Sequence, residues 1–135
     1  MSRIPRSQEH LKAGFTAEAV SAAQFRAYAA RAEADGLPNL AERWRRLAAG
    51  KDALAVAQLE AAGQVRGEAT DVSAAISNER YENEVLYDKM LAAVDAETAA
   101  VLRSVVAAQQ QHLAELEAMR RDYQASRGDV AAPAA

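Results

Sequence analysis

The chain has 135 residues, with 16 Lys or Arg against 19 Asp or Glu, and half of it is apolar, much of that alanine. It contains no cysteine, which excludes disulfides, iron–sulfur clusters and zinc ribbons. A formal charge of −3 gives no electrostatic case for nucleic acid or an anionic membrane surface. No run of about 18 apolar residues is present to span a bilayer, and the start MSRIPRSQEH lacks a signal-peptide core. The expectation is one soluble, cytoplasmic, all-α domain with no nucleic-acid or membrane partner.

Ser7 is a candidate N-cap after a short N-terminal arm (1–7), and Gly36 is a candidate helix stop, so helix 1 is expected over about residues 8–35. Pro38 suits the first turn of a second helix ending near Gly63. The stretch GQVRGEAT reads as a linker. Thr70 or Asp71 caps a third helix to about Val94, and Asp95 caps a fourth to about Ser126. The tail 128–135, GDVAAPAA, reads as disordered. The order is helix, tight turn, helix, longer linker, then the same again. That predicts two antiparallel hairpins, within 8–127, forming a four-helix bundle of ferritin-like type.

Each helix carries a stripe at spacings of three and four, and each stripe is broken by polar residues. Helix 1 reads Leu11, Phe15, Glu18, Ala22, Phe25, Ala29 and helix 2 reads Leu40, Trp44, Leu47, Lys51, Leu54, Gln58. Helix 3 reads Val72, Ile76, Glu79, Glu82, Leu86, Met90 and helix 4 reads Leu102, Val105, Gln109, His112, Leu116, Met119. Counted from the turns, the interruptions fall at matching depth, so at about 1.5 Å per residue they can meet in one polar layer. A single Lys or Glu in an alanine-rich helix can simply reach water, and a lone His is more often a satisfied surface or core residue. The alignment of all four sets is stronger than any one member. The cluster Glu42–Arg46 reads as a solvated face with Trp44 turned inward, and His10 as exposed. The stripes do not sustain the strict heptads of a coiled coil.

With these residues in view, the chain resembles the rubrerythrin type of ferritin-like di-iron carboxylate protein. That family places a Glu on helix 1, Glu-x-x-His on helix 2, Glu-x-x-Glu on helix 3 and Glu-x-x-His on helix 4. Glu79-Arg80-Tyr81-Glu82 with Tyr87 fits the helix 3 pattern, and AEAVSAAQFRAYAARAEADG sets Glu18 on the first-helix glutamate. The departures are specific. Lys51 and Leu54 replace both helix 2 ligands, Gln109 replaces the helix 4 glutamate while His112 remains, and Phe25 replaces a tyrosine. The family's cysteine-rich electron-entry domain has no counterpart. The resemblance implies a degenerate metal site of Glu18, Glu79, Glu82 and His112, lined by Lys51, Leu54, Tyr87 and Gln109.

Three ionised glutamates and one protonated lysine sum to −2, so one divalent cation neutralises the layer and two overcharge it. The expectation is therefore one divalent metal, Fe, Mn or Zn, or none, in a protein that binds or scaffolds. The alternative that the resemblance implies is a metal-dependent oxidoreductase acting on peroxide or dioxygen.

A homodimer is also expected. In a ferritin-like arrangement the linker between helices 2 and 3 has to cross about 24 Å. The roughly eight residues available reach about 26–29 Å fully extended. Exchange of hairpins between two chains relieves this, as does an up-down-up-down bundle.

Overall fold

A computed structural model describes residues 6–134. The expected N-terminal arm lies largely outside them, as does the last residue of the tail. The described residues contain helices and no strand: α1 Ser7–Ala34, α2 Pro38–Ala61, α3 Glu68–Tyr81, a π-helical turn Glu82–Leu86, α4 Tyr87–Leu91 and α5 Ala96–Ser126. The backbone stays helical through α3, the π turn and α4, so these form one long arm. The chain divides into two compact units, Met1–Val65 and Arg66–Ala135. Each described unit is an antiparallel helical hairpin: α1 against α2, and the α3–π–α4 arm against α5.

Helix ends follow local chemistry. α1 and α2 both stop in a Schellman motif. Gly36 takes φ 74°, with Leu37 N donating to Ala32 O at 2.9 Å and Gly36 N to Glu33 O at 3.1 Å. Gly63 repeats this, with φ 74°, Gln64 N to Leu59 O at 3.2 Å and Gly63 N to Glu60 O at 2.9 Å. Pro38 opens α2 as expected. Asp95 caps α5 by accepting from Thr98 N at 2.8 Å.

Three expected boundaries need correction. Ser7 is the first helical residue, and Arg6 stands at the cap with φ 71° and no side-chain cap bond. The third helical arm starts at Glu68, two to three residues before the expected caps. Asp71 instead reaches back from inside the first turns, accepting from Arg66 N at 3.0 Å and Gly67 N at 3.2 Å. The arm also ends at Leu91, short of Val94.

In the first hairpin the seam is alanine. Ala22 and Ala29 on α1, and Ala41, Ala48 and Ala55 on α2 with Ala62 at its cap, are buried. The α2 set recurs every seven residues. Such small side chains favour the lower end, about 8 Å, of usual helix–helix distances. Gly14 sits against Gln58, whose amide occupies the space a Cβ would need.

The expected stripe on helix 2 stands beside this seam and outside it within the hairpin. Three lanes run along α2 at seven-residue spacing: buried Ala41, Ala48, Ala55 and Ala62; half-buried Trp44, Lys51 and Gln58; and Leu40, Leu47 and Leu54, which are 47, 56 and 54 % exposed. A strict heptad is therefore present, carried by alanine. The larger residues stand beside the seam, where Trp44 meets Phe25 and Tyr28 with ring centroids 5.1 Å apart in each pair.

The second hairpin is built differently. Ile76 and Ala99 are buried, and Val72, Leu102, Val106, Leu113 and Leu116 are half-buried. Arg80 and Glu117 form a cross-hairpin ion pair.

Enlarging the alanine seam is expected to be costly. Ala48→Leu overpacks it and should lower unfolding free energy by about 1–3 kcal/mol, whereas Ala49→Leu, on an exposed position, should change it by less than about 0.5 kcal/mol. Urea unfolding midpoints check this. A second expectation concerns acid. Backbone N–H groups of Arg66 and Gly67 hold Asp71 below the usual carboxylate range, and the Thr98 backbone N–H does the same for Asp95. Depressed folded-state values mean that the stabilisation is complete above about pH 4 and is lost as pH falls through the folded values. Thermal melts of Asp71→Asn with Asp95→Asn should show a flatter acid limb than the parent.

Candidate functional site

Sequence alone assigns Glu18, Lys51 and Leu54 to the first hairpin and Glu79, Glu82, Tyr87, Gln109 and His112 to the second, and each hairpin is described on its own.

On the first hairpin, Lys51 Nζ stands 2.9 Å from Glu18 Oε2. Both are half-buried, with side chains 33 and 24 % exposed. The ammonium lies off the line a hydrogen bond needs, so Glu18 Oε2, itself buried, has a Coulombic partner and no hydrogen bond. Lys51 belongs to the middle lane of α2, beside the alanine seam, and its charge meets α1 at Glu18. Leu54 is exposed, as are its heptad mates. The opposite flank is saturated with solvent-facing pairs, Arg26 Nη1 to Asp52 Oδ2 at 2.8 Å and Arg45 Nη2 to Glu33 Oε2 at 3.5 Å.

On the second hairpin, Gln109 Nε2 donates to Glu82 Oε2 at 3.2 Å. This bond joins the third helical arm to α5 at the depth expected from sequence. Glu79, one turn earlier, is half-buried, and its Oε2 is buried without a hydrogen-bond partner. So are Gln109 Oε1 and both polar atoms of Asn83. The Tyr87 N–H closes the π turn on Glu82 O. His112 is exposed. Among the described residues, no three His, Asp or Glu side chains gather in metal-binding geometry.

Two features escaped the sequence reading. The π turn begins at Glu82 and gives the arm one extra residue per turn at its most polar point. Asn83 is the other: it lies four residues after Glu79 and seven after buried Ile76, and that spacing was the available signal. A separate cavity of about 410 Å³ at the open end of this hairpin is lined by Val72, Met119, Tyr123 and Val130, among others, and by none of the expected site residues.

The electrostatics divide cleanly. In the first hairpin the Glu18 and Lys51 charges cancel, −1 and +1. In the second, Glu79 and Glu82 carry −2 when ionised, and Gln109 supplies a dipole but no charge. The Gln109 amide fixes one oxygen of Glu82 and turns its own Oε1 away as a free acceptor. No family model, curated protein or solved structure matches the chain. No helix among the described residues is long and apolar enough to cross a membrane.

The Glu18–Lys51 pair should matter for stability. Lys51→Met leaves a half-buried carboxylate unpaired and should cost about 1–3 kcal/mol, less than the roughly 3–5 kcal/mol for a fully buried pair. Chemical unfolding of Lys51→Met, Glu18→Gln and the double variant checks this as a cycle, and the double variant should recover much of the loss.

Proposed function

We propose that this chain is a rubrerythrin-like, ferritin-fold protein with a degenerate metal site, holding one divalent metal or none and acting as a binding or structural protein. The observation that carries the reading is the Lys51–Glu18 ion pair at 2.9 Å. It puts a fixed positive charge on a carboxylate that, by the resemblance, would ligate metal. Leu54 removes the imidazole donor one turn further on, and Gln109 is an amide bonded to Glu82 where the family has a bridging carboxylate. Two metals need bridging anions to offset their mutual repulsion, and the residues that would supply them are absent. One cation on Glu79 and Glu82 balances their charge. Bound there, it would supply Lewis acidity, and this chain's own part would be to hold it, with Gln109 fixing Glu82 in place.

Assembly follows from the apolar faces. Leu40, Leu47 and Leu54 form an exposed ridge, and Leu86, Met90 and Val101 are exposed on the other hairpin. Leucine ridges of this kind favour burial against a further pair of helices. The proposal is a homodimer in which four-helix bundles close over these faces, with exchange of hairpins between chains as its simplest form.

Metal analysis of the purified protein should find one divalent metal per chain or less, and light scattering at micromolar concentration should give twice the chain mass. Lys51→Glu with Leu54→His and Gln109→Glu should raise bound iron to about two per chain. Two irons in the unsubstituted protein, or a triple variant with no added iron, overturns the degenerate-site reading.

A further inference from the structure

The stretch after α5 is short and rich in alanine, and its composition gives it no reason to stay in one place. The structure nonetheless turns it back. Arg127 takes φ 54°, and its N–H donates to Tyr123 O at 2.7 Å, which ends the helix and reverses the chain. Ser126 brackets the reversal. Its Oγ stands 3.1 Å from Gly128 O and 3.3 Å from Asp129 O, so its one proton is shared between two carbonyls, and it accepts from Gly128 N at 3.2 Å. Asp129 Oδ1 in turn accepts from Val130 N at 2.8 Å.

Val130 is where the segment lands. It is half-buried, whereas Gly128, Asp129 and residues 131–134 are exposed. With Val72 of α3 and Met119 and Tyr123 of α5, it walls the cavity of about 410 Å³ at the open end of this hairpin. Met119 and Val130 also line a second cavity, which residues 131–134 share with Glu115 and Ala118, so the segment lies back alongside α5. The hold is light. One half-buried valine anchors it, and the Ser126 and Asp129 bonds are exposed to water. Segments with so few buried contacts come from the low-stability end of local opening.

We propose that residues 127–134 form a lid, hinged at Ser126 and Arg127 and latched by Val130, over a site for a small uncharged aromatic molecule. The volume of the first cavity falls within the range of about 300–1,000 Å³ that small-molecule sites occupy. Its walls are two valines, a thioether that adapts its shape and a phenol ring that offers a stacking face. Glu68, Arg127 and Asp129 on its exposed rim carry −1, +1 and −1, a sum of −1 that disfavours an anion. The lid opens for entry, and Val130 then closes the fourth side against the ligand. None of these residues belongs to the candidate metal site.

The test titrates the full-length chain with the neutral dye N-phenyl-1-naphthylamine, read by its fluorescence, with circular dichroism as a fold control. The parent should bind one dye per chain, and the dye should raise the ¹⁵N heteronuclear NOE of Ala131 and Ala132 as the lid closes. Val130→Asp should weaken binding at least fivefold and abolish that rise, while Val130→Leu should stay within twofold of the parent. Leu47→Gln, on the exposed ridge of the other hairpin, should also stay within twofold. The same dye carrying a sulfonate should bind at least threefold more weakly. If the parent binds no dye, or if Val130→Asp binds as the parent does, or if Leu47→Gln removes the binding, the inference falls. Equal binding of the sulfonated dye overturns the uncharged ligand class.

Discussion

Much in the first hairpin depends on how closely its two helices approach along alanine. A seam with no side chain beyond Cβ brings the backbones together and leaves no room for leucine, phenylalanine or tryptophan between them. The large residues are displaced sideways. Trp44, Phe25 and Tyr28 collect on one edge as an aromatic trio, and Leu40, Leu47 and Leu54 of α2 are pushed out to the surface. The same displacement sets Lys51 beside the seam, close enough to reach Glu18. The apolar face that faces outward and the neutralised carboxylate inside it are thus two results of one packing choice.

The second hairpin keeps larger residues between its helices and accommodates polar ones at mid-depth. Ile76 and Ala99 are its buried anchors, and the Glu82–Gln109 bond and the Arg80–Glu117 pair tie the arms. The two halves share a chain order of helix, turn and helix, yet they treat charge in opposite ways. One neutralises its carboxylate with a lysine. The other meets Glu82 with the Gln109 amide and leaves Glu79 Oε2 without a hydrogen-bond partner.

Helix number and most ends were legible, because glycine, proline and aspartate act locally: Gly36, Gly63, Pro38 and Asp95 all do what their chemistry suggests. The packing was less legible. Counting large apolar residues put Leu40, Leu47 and Leu54 in the core, whereas the heptad of Ala41, Ala48, Ala55 and Ala62 is hard to see in a chain where alanine is everywhere. At the site, the Lys51–Glu18 and Gln109–Glu82 meetings were readable from depth along the helices. His112, one turn beyond Gln109 on α5, is exposed on this hairpin taken by itself. Asn83 was missed because an asparagine in a helix reads as a surface residue.

The π turn carries a further consequence for how this arm can vary. An extra residue looped into one turn shifts everything after it by about 100° relative to everything before it. Tyr87, Met90 and Leu91 therefore face where they do only because of one surplus position between Glu82 and Leu86. Losing one residue there would let the arm relax into an unbroken α-helix that still presents Tyr87, Met90 and Leu91 on the same side. Straightening the turn at its present length would instead rotate that section by about 100°, so residue number and backbone shape are tied together at this point.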